Sequence, residues 1–555
     1  MTHVRHLVRL PTYGGIVLGL LFWTRSLFPL LLPRSALFQA VVGAVSLAFG
    51  VAVGTLGGWL VHEALARLDR RPSEIVRRRA WQVLPVVGGA AVIAGSLLWV
   101  RWQNDHRALI GMPDISAVSI IPMLLLTAIV SVVVIVIGRT VWAGIRWVDR
   151  TVSERMNRWA AIAVTILVVW ILTSQVLARS GTAFHEWANA TYGAVANDED
   201  PDVVRPTSDT VAGGTGSLVQ WESLGREGRR FVAAATPAAD LAETAREGVE
   251  VVEPVRVYVG LESADSAEER AALAVAELER AGGFDRSLLV VWTVTGTGWV
   301  DPDATVALEH VRSGDTAIVA QQYSFLPSWI STLVDGPVAR AAGAELFNAV
   351  HARWLELPED DRPELVVFGL SLGSYGGEAP FIGVDDATSI ASLVSRTDGA
   401  MFVGPTNGND IWTQLTEARG PGSPAWRPVI GDGTEVVFAN DVDEVEELAA
   451  AGGSHVLYLQ HPTDPVTFWN WQSMWSRPDW LEGDTGKGVA AQASWFPFVT
   501  FAQLVADLSA GFGAEPGFGH DYTDAYVAAW TAVAPPQGWT SADTQRVETF
   551  LDVPR

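Results

Sequence analysis

Three residue types in a fixed order carry the chemistry open to this sequence: a serine between glycines, a later aspartate and a still later histidine. The serine is Ser371 in Phe368-Gly369-Leu370-Ser371-Leu372-Gly373-Ser374, and an apolar run from Leu365 leads into it. A buried strand followed by Gly-x-Ser-x-Gly describes a nucleophile elbow, a sharp strand-to-helix turn that presents the serine hydroxyl at the sheet end. Side chains two positions either side of the serine would collide with the adjoining strand and helix. With 52 Gly in 555 residues, the pattern alone could arise by chance, and the strand before it adds weight.

A serine nucleophile needs a base, an acid to orient the base, and donors for the oxyanion. After an elbow of this kind the acid and then the histidine follow in the chain. Asp464 suits the acid: it follows an apolar strand and sits in His461-Pro462-Thr463-Asp464-Pro465, a turn made rigid by two prolines. An ordinary Asx turn is the plainer use of Thr-Asp-Pro. Asp441 and Asp443, after the preceding strand, are the alternatives. His520 suits the base, because Gly517-Phe518-Gly519-His520 is a glycine-rich turn just ahead of a terminal helix. His310 and His351 fall within helices, His455 begins a strand, and His461 precedes the acid. For the oxyanion, the expected donors are backbone N–H groups of Leu372 and of the loop Gly296-Thr297-Gly298, with Gly296 and Thr297 the candidates there. A plain glycine turn accounts for that loop equally well until the other parts are accepted.

The elements that must position these residues alternate. Strand-like runs start at Val255, Leu288, Ala317, Leu365, Ala400, Glu435 and Ser454, and helix-like segments separate several of them, as at Ala267–Arg280 and Pro337–Trp354. Such alternation implies a mostly parallel sheet with helices on both faces. Functional residues then gather at the C-terminal strand ends, where Ser371 and Asp464 both fall.

The first third of the chain has a different character. Residues 1–179 carry a net charge of about +11 and the rest about −35, a side-chain asymmetry that places the two parts in different surroundings. Apolar runs near 11–32, 36–60, 82–100, 119–145 and 159–177 read as about five spans of about 20 residues or more. The first is the weakest, interrupted by Arg25 and followed by Pro29 and Pro33, and reads alternatively as a short span plus an interfacial piece. Arginines cluster at 67–79 and at 146–158, which makes both loops cytoplasmic by the positive-inside rule and puts everything after the fifth run outside. Gly43, Gly50, Gly54, Gly57 and Gly58 suit close helix packing. No acidic residue sits mid-span, which disfavours an ion or proton path. We therefore expect a transmembrane helix bundle over 1–179 and a multi-pass plasma membrane protein with its catalytic part extracytoplasmic. Residues 180–230 read as a flexible linker, acidic and then Ser/Thr/Gly-rich, with a short interfacial helix at His185-Glu186-Trp187 as an option. Residues 231–555 read as the globular catalytic domain.

Composition excludes several classes. There is no cysteine, hence no disulfide and no thiolate metal site. The acidic globular part argues against nucleic acid as a partner. No metal-ligand spacing, phosphate loop or dinucleotide fingerprint occurs, so no cofactor is expected. The aromatic cluster Phe468, Trp469, Trp471, Trp475, Trp480, Trp495 and Phe496 reads as a packed cap over the sheet, with a pocket lining or contact with the bilayer as alternatives.

Five segments together resemble a known family: Thr295–Pro302, Gln322–Trp329, Phe368–Ser374, Arg477–Leu481 and Trp495–Thr500. They look like the actinobacterial membrane-anchored α/β-hydrolase family, whose members join a multi-span N-terminal domain to a C-terminal hydrolase domain. The resemblance implies an α/β-hydrolase fold with Ser371 as nucleophile and is silent on substrate. The expected activity is that of a serine ester hydrolase, lipase-like, acting through an acyl-enzyme on lipid or cell-envelope esters, with a small-molecule or lipid ester as substrate and membrane lipids as neighbours. An acyltransferase would use the same residues, and a non-catalytic binding module would use none of them.

Overall fold

The computed structural model describes residues 11–69, 73–154, 157–160, 163–168, 170–171, 174–175, 200–326 and 336–552. The chain divides into two compact units. One comprises Met1–Ala183, Trp469–Glu482 and Gly488–Glu515, the other Phe184–Phe468, Gly483–Lys487 and Pro516–Arg555.

The first unit is helical. Helices α1 (Tyr13–Ser26), α2 (Ala36–Arg67), α3 (Glu74–Leu109) and α4 (Ile120–Ser153) are closed by side chains at several N-termini: Thr12, Ser35 and Ser73 each accept a backbone N–H from the first turn. Among the described residues, three helices are long and apolar enough to cross a membrane: Ala36–Arg67, Glu74–Leu109 and Ala117–Ser153. These support membrane association. Large apolar side chains on them face outward, including Leu56, Ile93, Ile129 and Val132, each more than half exposed. One of the five expected spans differs. The run at 11–32 forms only the 14-residue helix α1, about 21 Å long against a hydrocarbon core of about 30 Å. In the run at 159–177 the described residues 159–160, 163–168, 170–171 and 174–175 are helical, and 161–162, 169, 172–173 and 176–177 lie outside the described residues. Helix α1 packs tightly on α2 because glycine allows it: a Cβ on Gly54 would lie 2.1 Å from the Gly14 carbonyl oxygen. Gly57 and Gly58, by contrast, face open space. Trp23, Leu27, Ala40, Trp99 and Met123 form the buried core of this unit.

The first unit also contains 469–482 and 488–515, which sequence reasoning assigned to the catalytic domain. Within this unit the aromatic segment packs on the helices. Phe496 meets Phe22 edge-on at 5.0 Å, and Phe498 stacks on Phe49 at 3.7 Å. Alternation and composition cannot show which partner an aromatic surface will choose, and here it is other aromatics on α1 and α2.

The second unit is a seven-stranded sheet, all parallel, in the order β1-β3-β2-β4-β5-β7-β6. The strands are β1 (Val255–Val259), β2 (Leu288–Thr293), β3 (Thr316–Gln321), β4 (Glu364–Leu370), β5 (Gly399–Val403), β6 (Val436–Ala439) and β7 (Val456–Leu459). Their near-continuous apolar sequences suit strands covered on both faces, and all but a few of their residues are buried. Helices α5 (Ala267–Ala281), α6 (Pro302–Val311), α7 (Gly336–Glu356), α8 (Leu372–Gly377), α9 (Asp386–Arg396), α10 (Asp410–Ala418), α11 (Val442–Ala451), α12 (Tyr526–Val533) and α13 (Ser541–Leu551) accompany the strands, with shorter helices at Gly225–Ala233, Ala238–Thr244 and Pro465–Phe468. Residues 207–219, expected within a flexible linker, are held to this unit. Ala212 N–H donates to the Arg256 carbonyl of β1, and the buried Glu277 carboxylate accepts from Ser217 Oγ and Leu218 N–H. Their Ser and Gly content serves specific hydrogen bonds, which composition does not reveal. His185-Glu186-Trp187 lies outside the described residues.

Candidate active site

Ser371 follows the last residue of β4, the central strand, and precedes α8. Its backbone is at φ 57°, ψ −124°, a conformation that costs a non-glycine residue about 1–3 kcal/mol. The two flanking glycines are there for space. A Cβ on Gly369 would lie 2.4 Å from the Gly373 carbonyl oxygen, and one on Gly373 would lie 2.3 Å from that of Thr293, the end of β2. The turn is held from three sides. Ser371 N–H donates to the Val403 carbonyl at the end of β5, at 2.9 Å. Ser374 Oγ donates to the Ser371 carbonyl at 2.6 Å. Behind the turn, helix α7 comes so close to α8 that a Cβ on Gly343 would lie 2.2 Å from the Gly376 carbonyl oxygen.

Asp464 follows β7 and is fully buried. Its two oxygens do different work. Oδ1 accepts Val466 N–H at 2.8 Å, the Asx turn anticipated as the plain reading. Oδ2 accepts from His520 Nδ1 at 2.7 Å and from Tyr522 Oη at 2.7 Å. Facing a carboxylate, the imidazole carries a proton on Nδ1, which leaves the lone pair on Nε2. The two residues are 56 positions apart, and the loop between Gly517 and His520 is pinned to the acid turn. Gly519 N–H donates to Thr463 Oγ1 at 2.8 Å, and His461 Nδ1 donates to the Gly519 carbonyl at 3.1 Å. Burial pushes the His461 imidazole down to about 4, so it is neutral near pH 7. It stacks on Tyr522 at 4.0 Å between ring centres.

The elbow and the histidine loop meet at one strand end. Gly404 follows Val403, the residue that accepts from Ser371, and a Cβ on Gly404 would lie 2.5 Å from His520 Cε1. The structure therefore brings together the neighbourhoods of Ser371, Asp464 and His520. The alternative acids stay apart from that arrangement: Asp441 caps α11 through Glu444 N–H and pairs with Lys487 Nζ at 2.9 Å, and Asp443 is exposed.

Leu372 opens α8 beside Ser371. The loop Gly296-Thr297-Gly298 follows β2, whose end abuts the elbow, and it is tied down. Tyr258 Oη donates to the Gly298 carbonyl at 2.8 Å and Gln322 Nε2 to the Thr297 carbonyl at 2.9 Å. Gly298 N–H is used within the turn, donating to the Thr295 carbonyl at 2.9 Å. That leaves Gly296 and Thr297 as the N–H candidates of this loop.

Sequence reasoning missed several residues. Tyr522 carries no signal beyond standing two residues after His520. Glu378 is an acid just after Gly376-Gly377, fully buried, and it anchors a network beneath the elbow. Its carboxylate accepts from Asn409 Nδ2 at 3.0 Å, Tyr458 Oη at 2.8 Å and Ile411 N–H at 2.8 Å. Asn409 Nδ2 also donates to Ser374 Oγ at 3.1 Å, the hydroxyl that holds the Ser371 carbonyl. Burial raises the Glu378 carboxyl to about 7, against the pull of these donors. Among the described residues, no cluster of three or more side chains suits a metal ion.

Two sequence profiles match the chain. One, described as alpha/beta-hydrolase family, covers residues 255–547, and the other, described as alpha/beta-hydrolase family N-terminus, covers 27–236. Neither the characterised proteins nor the solved structures include a match.

Proposed function

The chain belongs to the alpha/beta-hydrolase family, and from that premise we propose that it is a membrane-anchored serine hydrolase that cleaves carboxylic esters of lipids or the cell envelope. Ser371 Oγ attacks the acyl carbonyl as His520 Nε2 takes its proton. Asp464 holds the imidazole in the required tautomer and stabilises the imidazolium. The oxyanion is received by N–H groups of Leu372 and of Gly296 or Thr297. His520 then returns the proton to the departing alcohol, and water, activated in turn by His520, frees the acid from the acyl-enzyme.

The observation that carries this reading is the 2.7 Å contact between His520 Nδ1 and Asp464 Oδ2, in a loop that touches the strand end bonded to the elbow. A fluorophosphonate probe tests it. Wild type should label and Ser371→Ala should not; folded wild type that fails to label sinks the reading. Product analysis with an added alcohol then separates hydrolysis from transfer to that acceptor.

We further propose that the helices cross the plasma membrane several times and leave the catalytic unit outside the cytoplasm, on the strength of the arginine-rich segments at 67–79 and 146–158. Because the protein has no cysteine, single introduced cysteines report the side directly. An impermeant maleimide should label a cysteine at exposed Val384 in intact cells and leave one at Arg78 unlabelled.

A further inference from the structure

One buried contact in the sheet unit joins three parts that the proposed reaction needs. Asp301 and Tyr526 are 225 positions apart, and Tyr526 Oη donates to Asp301 Oδ2 at 2.6 Å. Both side chains are buried, and both residues belong to the sheet unit. Asp301 stands three residues after Gly298, at the end of the loop that offers Gly296 and Thr297 as oxyanion donors. Tyr526 opens α12, six residues after His520. Its ring neighbours that of Phe368 in β4, three residues before Ser371, at 6.5 Å between ring centres.

The chain on either side of the contact is closed by its own hydrogen bonds, so a displacement at one end is passed to the other. In the oxyanion loop, Thr295 N–H donates to the Trp299 carbonyl at 3.2 Å and Gly298 N–H to the Thr295 carbonyl at 2.9 Å. In the base loop, Gly517 N–H donates to the Asp521 carbonyl at 3.2 Å and Ala525 N–H to the Tyr522 carbonyl at 3.1 Å. Asp521 Oδ1 accepts from Thr523 N–H at 3.1 Å and from Thr523 Oγ1 at 2.7 Å.

Capping alone does not account for a carboxylate at 301. Asp301 Oδ1 accepts from Asp303 N–H at 3.0 Å and Ala304 N–H at 3.3 Å, which closes the N-terminus of α6. A serine or asparagine would close it as well without burying a charge. Burial raises the Asp301 carboxyl to about 6, with the Tyr526 hydroxyl opposing the rise and Asp303 adding to it. The second oxygen is the one that a cap does not use, and it accepts from Tyr526. The contact is also one of several ties between α6 and α12. Trp530 Nε1 donates to the Ala304 carbonyl at 2.8 Å. At the opposite end of the sheet, beside Glu364 where β4 begins, Arg312 Nη2 donates to the Ala534 carbonyl at 2.9 Å.

We propose that Asp301 and Tyr526 are positioning residues for the hydrolase site: their hydrogen bond fixes the oxyanion loop relative to the loop that carries His520. The inference rests on the serine-hydrolase reading given above. Misplacement of a reacting group by about 1 Å costs about 100-fold in rate, so losing one buried bond while its ring stays in place should cost less.

The test uses full-length protein in nanodiscs, a short, soluble p-nitrophenyl ester and the fluorophosphonate probe. Tyr526→Phe keeps the ring and removes the hydroxyl. It should lower kcat about tenfold, leave KM within about twofold and slow labelling at Ser371 by a similar factor, because phosphonylation calls on the same base and the same donors. Asp301→Ser keeps a cap but is too short to reach Tyr526. It should act alike, and it decides through the same readouts should Tyr526→Phe not fold. The double variant should lose about tenfold and not about 100-fold, since both changes remove one bond. Arg312→Met is the control: it cuts the tie at the far end of the sheet and should lower the melting temperature while kcat of the folded protein stays within about twofold of wild type. A contact that only stabilises the fold would leave kcat and the labelling rate of folded Tyr526→Phe at wild-type values, and that result overturns the proposal. Equal losses of kcat in Arg312→Met and Tyr526→Phe overturn it too. Failure of the underlying reading shows separately, in the wild type, as absent ester turnover and absent probe labelling at Ser371.

Discussion

The elbow and the proposed acid–base pair, Asp464 and His520, reach the same end of the sheet by opposite routes. The elbow is local: strand, glycine, serine, glycine and helix fall within Glu364–Gly377, and its restraints come mainly from neighbouring strand ends. The pair is assembled from two turns 56 positions apart, joined by Thr463, His461 and Tyr522 and separated by an excursion into another unit. The elbow is held by close backbone approach, the pair by buried hydrogen bonds to one carboxylate oxygen. A local device tolerates change elsewhere in the chain, whereas an assembled one inherits every disturbance between its parts.

Variants can break or sharpen that contrast. The largest effect is expected on the proposed reacting groups: Ser371→Ala or His520→Ala should lower kcat by about 10⁴-fold or more, read as steady-state ester turnover, with melting temperatures near wild type. Ser371→Gly should be equally inactive and more stable, by about 1 kcal/mol in denaturant unfolding, because it releases the positive φ. Next comes Gly404→Ala, which joins the two halves in one substitution. A Cβ there would lie 2.5 Å from His520 Cε1, so the imidazole must move, and kcat should fall about 100-fold. Unchanged turnover would mean that the two regions are not coupled at that strand end.

Tyr522→Phe acts on the pair alone. It removes one of the two donors to Asp464 Oδ2, which makes the carboxylate a stronger partner for imidazolium. The acid limb of the kcat/KM profile should therefore move to higher pH, with about a tenfold loss near neutrality at most. The smallest effect is expected from Glu378→Gln beneath the elbow. The Glu378 carboxyl is raised from its ordinary 4.5 to about 7 in the folded protein. Its contribution to stability is thus fully present below about 4.5 and is lost as pH rises through about 7. Wild type should lose melting temperature between pH 5 and 8, and the Gln variant should show a flatter dependence, as differential scanning fluorimetry would read.

Much of the sheet was legible because a parallel strand buried on both faces is apolar throughout, as Leu288–Thr293 and Leu365–Leu370 are. Ser371 was legible because steric need dictates its neighbours. Tyr522 and Glu378 were not, since nothing in a tyrosine's or a glutamate's flanking sequence states which oxygen it will face. The first run, already the weakest in the sequence, shows a related limit: hydropathy reads an apolar surface and cannot tell lipid from protein as the thing that covers it. The same limit assigned Trp471 and Phe496 to the catalytic domain, whereas both belong to the helical unit.

Sequence by itself determined what chain-local physics determines: the hydropathy that separates the helical third from the acidic remainder, the order of strands and helices, and the glycines that make room around Ser371. Tertiary structure decided what depends on distant partners meeting. It set His520 on Asp464 rather than on any other carboxylate, gave Asp464 a second donor in Tyr522, and enclosed the excursion between acid and base among membrane-type helices. Close approach within a few residues is written in residue size, whereas the pairing of buried polar groups is selected only once the whole chain has excluded water around them.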